Sequence, residues 1–282
     1  MTTRRLGVHT SIAGGIHLSM ERAHELRCNT AQIFSHNPRT WSVSAIPEDS
    51  VAMFRELRKT YEIAPVFIHC SYLINCASAD SVVRDRSIRM LIQEMNLADI
   101  LGAEYVVLHT GSASRDLAQS ARKRAIDSLR MISEIRTWRA GLLLENTAGE
   151  RGDISSQIKD LAEIIKGVHS PLIKGVVIDT CHAFQAGYEL TSGEGLSEMI
   201  TEIGKYLAPG SVKLIHLNDS KRPFGSRVDR HDHIGSGAIG RKGIARVIND
   251  PAFIRVPLIL ETPKESDEDD RRNLCVVRRL MK

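Results

Sequence analysis

Val212–Gly240 reads VKLIHLNDSKRPFGSRVDRHDHIGSGAIG, and its two halves follow different rules. Val212, Leu214, Ile215 and Leu217 leave little room for a wet face, so the first half reads as a buried strand. The strand delivers His216 and then gives way to a long polar segment with Asp219, Asp229, His231 and His233. Such side chains ligate metals or carry protons, and Gly225, Gly235, Gly237 and Gly240 give the backbone freedom to converge them. An apolar strand followed by a ligand-rich loop is how an α/β protein builds a site at a strand's C-terminal end.

Outward from this stretch the same arrangement recurs. Strands are expected at Leu6–His9, Ala31–Phe34, Val66–His69, Tyr105–His109, Leu142–Glu145, Val176–Asp179, Val212–His216 and Leu258–Glu261. Between them lie helical patterns over Gly15–Arg27, Glu48–Tyr61, Asp80–Leu101, Ser114–Trp138, Ile154–Lys166, Glu194–Tyr206, Arg241–Asn249 and Ser266–Met281. Eight β-then-α units predict an α/β fold, a single (β/α)8 TIM barrel with its site at the C-terminal face of the strands. A doubly wound open sheet is the alternative. The count of eight, and the polar residues after nearly every strand, favour the barrel. No linker or change of composition interrupts the chain, so residues 1–282 are expected to form one domain.

Six consecutive strands end in His, Asp or Glu: His69, His109, Glu145, Asp179, His216 and Glu261. The chain has 34 Asp and Glu and 11 His among 282 residues, about one position in six, so six successive strand ends are hard to attribute to chance. A lone His after a strand is commonly just a hydrogen-bonded histidine, and a lone Glu often caps the next helix. Barrel strands, however, lie about 4.8 Å apart, and six such groups at one end crowd into a single bowl. Carboxylates that close repel one another unless cations sit among them. Histidine with carboxylates and no thiolate suits Zn²⁺ or Mn²⁺, and the share of histidine favours zinc. Two ions roughly 3.5–4 Å apart are a recurring device for displacement at phosphorus. His182, Asp229 and His231 offer a third, separate set.

The totals fit this reading without adding to it. A hydrophobic content of 42% and a charged content of 26% are those of a globular protein with a sizeable core. The net charge of +4 permits a polyanionic partner without demanding one. The cysteines, Cys28, Cys70, Cys76, Cys181 and Cys275, are scattered and odd in number, which argues for a reducing compartment. No signal peptide and no run of roughly 20 apolar residues is present, so a cytoplasmic location with no membrane partner is expected. A monomer is expected, because no long apolar surface stripe stands out.

The strings GVHTSIAGG, QIFSHNPRTW, HCSYLIN, LHTGS, ENTAG, IDTCHAFQAGY, HLNDSK, FGSRVDRHDHIG and LILETP, in that order, resemble the endonuclease IV family of apurinic/apyrimidinic (AP) endonucleases. The resemblance covers essentially the whole chain. It implies a TIM barrel with three zinc ions that acts in base-excision repair on double-stranded DNA containing abasic sites or blocked 3′ ends. One zinc would be held by His69, His109 and Glu145, a second by Glu145, Asp179, His216 and Glu261, and a third by His182, Asp229 and His231. Mn²⁺ is an alternative at some sites. The implied reaction is hydrolysis 5′ to the lesion, leaving a 3′-hydroxyl and a 5′-deoxyribose phosphate. Glu145 would help deprotonate the attacking water, and Glu261 is the other candidate catalytic carboxylate.

The resemblance further implies that Asn37, Arg39, Tyr72 and Leu73 enter the minor groove, where a planar cation and an apolar wedge suit the gap left by a missing base. Cys70, Pro38, Thr40 and Ser236 depart from the family pattern. His9 is a candidate support for the metal ligands, and His233 could orient one of them. His17, His24 and His169 are expected at the surface. The rival function is a xylose-isomerase-like sugar isomerase or epimerase, which also places carboxylates and histidines at strand ends. That class has no use for the third ligand set or for the Arg39, Tyr72 and Leu73 rim.

Overall fold

The computed structural model describes residues 4–114 and 116–282. Its strands, in chain order, are β1 Leu6–Val8, β2 Ala31–Phe34, β3 Val66–His69, β4 Tyr105–Leu108, β5 Gly141–Glu145, β6 Ile173–Asp179, β7 Val212–His216, β8 Asp219–Ser220, β9 His231–Asp232 and β10 Leu258–Leu260. Eight of them pair in parallel in the order β1-β10-β7-β6-β5-β4-β3-β2. A parallel bridge between His9 and Gln32 and a 2.8 Å bond from Thr10 N to Gln32 O bring β1 against β2 and close the ring. The two remaining strands, β8 and β9, form a small antiparallel hairpin above the barrel.

The helices are α1 Leu18–Glu25, α2 Glu48–Thr60, α3 Ser81–Leu101, α4 Ala118–Ile135, α5 Ile158–Val168, α6 Thr180–Gln185, α7 Gly193–Tyr206, α8 Gly240–Asn249 and α9 Asp267–Leu280. The (β/α)8 barrel is thus as the sequence predicts, with differences at the ends of elements. Helix α4 is shorter than the predicted Ser114–Trp138. Leu117 before it and Arg136 after it are both extended, and Ser114 has a positive φ of 56°. Arg115, within that predicted span, lies outside the described residues. Helix α6 is additional, and at six residues it is too short to show a helical period. Among the described residues no helix is long and apolar enough to cross a membrane.

Strand alternation fixes what the barrel contains. Phe67, Val107, Leu143, Val177, Leu214 and Ile259 form their own fully buried cluster. Each stands two residues before one of the six strand-end groups, and residues i and i+2 of a strand share a face. The six His, Asp and Glu side chains therefore rise on the inner face, above an apolar floor. The alternate residues, including Ile68, Val106, Leu144, Ile178, Ile215 and Leu260, point outward into the larger core under the helices. The barrel is filled, not hollow, and its site is an open bowl on top of the filling.

Candidate metal centre

The site is a continuous mesh of imidazoles and carboxylates. Glu145, at the end of β5, is wholly buried and central to it. Its Oε2 lies 3.3 Å from His69 Nε2 and 3.0 Å from His109 Nε2. Its Oε1 lies 2.8 Å from His216 Nδ1, and that same nitrogen is 3.3 Å from Glu261 Oε2. The structure gathers the ligand atoms of His69, His109 and Glu145 within 4.8 Å of one another, and does the same for Glu145, Asp179, His216 and Glu261. It also gathers His182, Asp229 and His231, with a cavity of about 360 Å³ in front. Asp179, Cys181 and His231 make a further overlapping set. The Cys181 sulfur is however directed at Arg230 O, 3.4 Å away, and burial pushes its thiol well up.

Hydrogen bonds to the far side of each ring settle where the lone pairs point. His182 Nδ1 is 2.9 Å from Asn146 O, and His231 Nδ1 is 2.9 Å from Glu261 O. A carbonyl only accepts, so both Nδ1 atoms carry hydrogen, and each Nε2 is left to face a cation or, when its ring is protonated, to donate to Asp229. Those two Nε2 atoms face each other at 3.4 Å, and Asp229 Oδ1 lies 3.3 and 3.5 Å from them. Ligands at about 2.0–2.1 Å from a tetrahedral zinc stand roughly 3.3–3.4 Å apart, so this triangle has the edge a zinc ion needs. His69 follows the same logic: Nδ1 donates to Cys70 O at 2.8 Å and leaves Nε2 for Glu145. Glu145 Oε2 and His109 Nε2 are buried, close, and without a hydrogen-bond partner. A buried, unsatisfied pair of this kind is costly unless a cation or a shared proton joins it.

Charge within the mesh is balanced by the imidazoles. Burial by itself would raise the Glu145 carboxyl, but the charges of His216 and His109 outweigh it and hold the group well below its usual range. Glu261 is likewise held low, with His216 and a hydrogen bond to His9 overcoming burial. His216 responds in the opposite sense. Burial lowers it, the Glu145 and Glu261 carboxylates raise it more, and it ends pushed up to about 9.

Two groups that sequence reasoning missed hold the mesh in place. Gln32, buried on β2, accepts from His216 Nε2 at 2.7 Å through its Oε1. Its Nε2 donates to Glu261 Oε1 at 2.6 Å and lies 3.0 Å from His9 Nδ1, which itself stands 3.3 Å from the same carboxylate oxygen. One amide thus turns His216 so that Nδ1 faces the carboxylates, and steadies Glu261. Asn218 donates to Asp179 Oδ2 at 2.6 Å and accepts from Glu261 N at 2.8 Å. The available signal was a polar residue inside an otherwise apolar strand (Gln32) or immediately beyond one (Asn218). His9 also lies 3.3 Å from Glu261, in the supporting position the sequence suggested.

Asp219 is neither a ligand nor a proton carrier, as its place in the opening stretch had suggested. Its carboxylate accepts from the backbone N–H groups of Ser220, Gly235, Gly237, Ile239 and Gly240, at 2.8–3.2 Å. It pins the return of the loop that carries Asp229 and His231. His233 bonds Asn273 on α9 at 3.1 Å and touches none of the ligands. His17 is partly buried at the start of α1, His24 stacks on Tyr61 at 3.8 Å, and His169 is exposed at the end of α5. At the rim, Asn37, Arg39 and Tyr72 are exposed and Leu73 is half-buried. The Tyr72 ring leans edge-on against Phe34 at 5.2 Å, beside the bowl.

Residues 20–278 match the xylose isomerase-like TIM barrel family, which is the class that this ring of strands and its metal-ligating groups define. Within that class the relatives are specific. A probable endonuclease 4 of Persephonella marina is 38% identical over 282 residues, covering 99% of this chain and 97% of the relative. Another, from Aquifex aeolicus, is 38% identical over 275 residues, with 97% and 96% covered. The crystal structure of endonuclease IV from Thermus thermophilus superposes with a TM-score of 0.86 at 36% identity, covering 98% of each chain. A D-tagatose 3-epimerase-like protein reaches a TM-score of 0.74 at 20% identity, over 97% of this chain and 96% of its own, a likeness of fold alone. The chain belongs to the endonuclease 4 family, and it is an endonuclease, hence a hydrolase.

Proposed function

We propose that the chain is a single-domain, monomeric AP endonuclease that holds three zinc ions. It hydrolyses the phosphodiester 5′ to an abasic site in double-stranded DNA, leaves a 3′-hydroxyl and a 5′-deoxyribose phosphate, and trims blocked 3′ ends. One observation carries the reading: the Nε2 atoms of His182 and His231 and the Oδ1 of Asp229 stand 3.3–3.5 Å apart, a triangle with the edge that a tetrahedral zinc ion needs. That third set is what a sugar epimerase of the same fold has no use for. His69, His109 and Glu145 would hold one ion, Glu145, Asp179, His216 and Glu261 another, and His182, Asp229 and His231 the last, with manganese able to replace zinc at some of them.

Zinc bound there supplies positive charge against the phosphate and acidifies water. The rest of the work belongs to the chain. Glu145 and Glu261 keep their carboxylates ionised and fixed, so either can accept a proton from the attacking water. Gln32 holds the Glu261 carboxylate against rotation, and Asn218 does the same for Asp179. The apolar floor below excludes bulk solvent from beneath the reacting phosphate. Arg39 and Leu73 would fill the space vacated by the missing base, with Asn37 and Tyr72 beside them on the rim.

The test combines metal analysis with cleavage of a duplex bearing one tetrahydrofuran abasic analogue. The expected result is three zinc ions per chain and a nick on the 5′ side of the analogue, lost in Glu145→Gln and Glu261→Gln. One divalent ion per chain, no nick, and epimerisation of a ketose would overturn the reading in favour of the sugar-isomerase class.

A further inference from the structure

Helix α3 carries a carboxylate that the chemistry above does not use. Glu94 is wholly buried among Met90, Leu91, Met95 and Ala98, where an aliphatic side chain would pack at lower cost. Its oxygens are taken up by two separate loops. Ser35, just past β2, donates its hydroxyl to Glu94 Oε2. Ser71, just past β3, donates its backbone N–H to Glu94 Oε1 at 3.2 Å, and His36 Nδ1 stands 3.5 Å from the same oxygen. The two loops then join directly, because the Ser71 hydroxyl donates to Pro38 O at 2.7 Å. The first loop runs on to Asn37 and Arg39. The second runs on to Tyr72 and Leu73, with Leu73 N bonded to Ser71 Oγ at 3.2 Å.

We infer that Glu94 is a positioning residue for substrate capture: it sets the two rim loops against each other, so that Arg39 and the Tyr72–Leu73 pair present one surface to DNA. The inference rests on the proposed role of that rim. Glu94 touches neither a metal ligand's side chain nor the reacting atoms, so its removal should spare the chemical step. A residue that merely filled the core would lower stability without separating KM from kcat.

The experiment compares wild type, Glu94→Leu and Glu94→Gln on the tetrahydrofuran duplex, with zinc content and amide hydrogen exchange measured on each. In Glu94→Leu, KM should rise by about tenfold or more while kcat stays within about threefold and zinc content is unchanged. Amides of residues 37–40 and 71–74 should exchange faster, and those of the barrel strands should not. Glu94→Gln, which keeps an acceptor and the volume, should restore KM to within about threefold. An unchanged KM, equal falls in kcat and kcat/KM, or loss of zinc would overturn the inference. If Glu94→Leu fails to fold, Ser35→Ala stands in for loss of a Glu94 bond and Ser71→Ala for loss of the loop-to-loop bond to Pro38: each should raise KM, and the double variant should raise it by less than their product, a fully multiplicative effect counting against one shared surface. If wild type does not nick the duplex, the AP endonuclease reading fails, while the exchange data still judge the role of Glu94 in the loops.

Discussion

Gln32 shows how much of a metal centre can lie outside its ligands. Nothing in the run Ala31–Phe34 marks it except that an amide interrupts an apolar strand, yet its two ends fix His216 and Glu261. The six candidate ligands at the strand ends were legible, because each closes an apolar run and their chemistry is shared. Gln32, Asn218 and Glu94 were not, because their partners lie far away in sequence and only folding brings them together. Gln32→Leu should leave every proposed ligand present but free to rotate. Zinc should be lost to a competing chelator about 10–100-fold more readily than from wild type, and equal retention would remove Gln32 from the site's support. Glu94 offers a separate check on its burial. Desolvation pushes its carboxyl up to about 7 from 4.5, although hydrogen bonds from Ser35 and Ser71 pull the other way. Between those values the folded chain keeps a proton that the unfolded chain has released, so stability is lost as pH rises through the window. The loss should approach about 3 kcal/mol above pH 7. Unfolding by denaturant at pH 5 and pH 8 should show it as a difference between wild type and Glu94→Gln; a difference that does not change with pH refutes it.

The loop between β7 and α8 shows why element boundaries resist prediction while the elements themselves do not. Strand β7 follows from its aliphatic run, and α8 from its amphipathic spacing. What lies between is organised by one carboxylate, Asp219, clasped by the backbone of Gly235–Gly240 in the manner of an anion nest. The composition of the stretch suggested ligands; the fold uses Asp219 as an anchor and reserves Asp229 and His231 for the site. Helix α6 was missed for a related reason. It is started by the Asp179 side chain, which accepts from His182 N at 2.8 Å, so a candidate ligand and a helix cap share one residue. The clasp can be tested on its own. A Cβ at Gly237 would fall 2.4 Å from Ser220 O and 2.6 Å from Asp219 Oδ1, contacts that neither backbone nor a buried carboxylate can relieve cheaply. Gly237→Ala should therefore displace the loop bearing Asp229 and His231, and zinc content should fall from three toward two per chain. Three zinc ions retained in that variant would mean the clasp and the third set are independent.

At the scale of the whole barrel, floor and ring are the same strands read two residues apart. Leu143 lies in the floor and Glu145 in the ring, both on β5 and both with no exposed surface. The floor cannot loosen without giving the side chain above it room to move, and an ion held by His69, His109 and Glu145, as proposed, would tie β3, β4 and β5 together. Stability and metal binding should therefore be coupled across the barrel, not added. Leu143→Ala leaves a cavity that the surrounding strands are poorly able to collapse, and it should cost about 2–5 kcal/mol. Ile135→Ala, at an exposed position near the end of α4, should cost close to nothing. The decisive measurement is the stabilisation that zinc confers, taken as the difference in unfolding free energy between metal-loaded and chelator-stripped protein. It should be smaller in Leu143→Ala than in wild type, because the variant's ring is less well arranged to receive the ions, and it should be unchanged in Ile135→Ala. Equal zinc stabilisation in all three proteins would show that the floor carries the fold and the ring carries the metals with no energetic link between them.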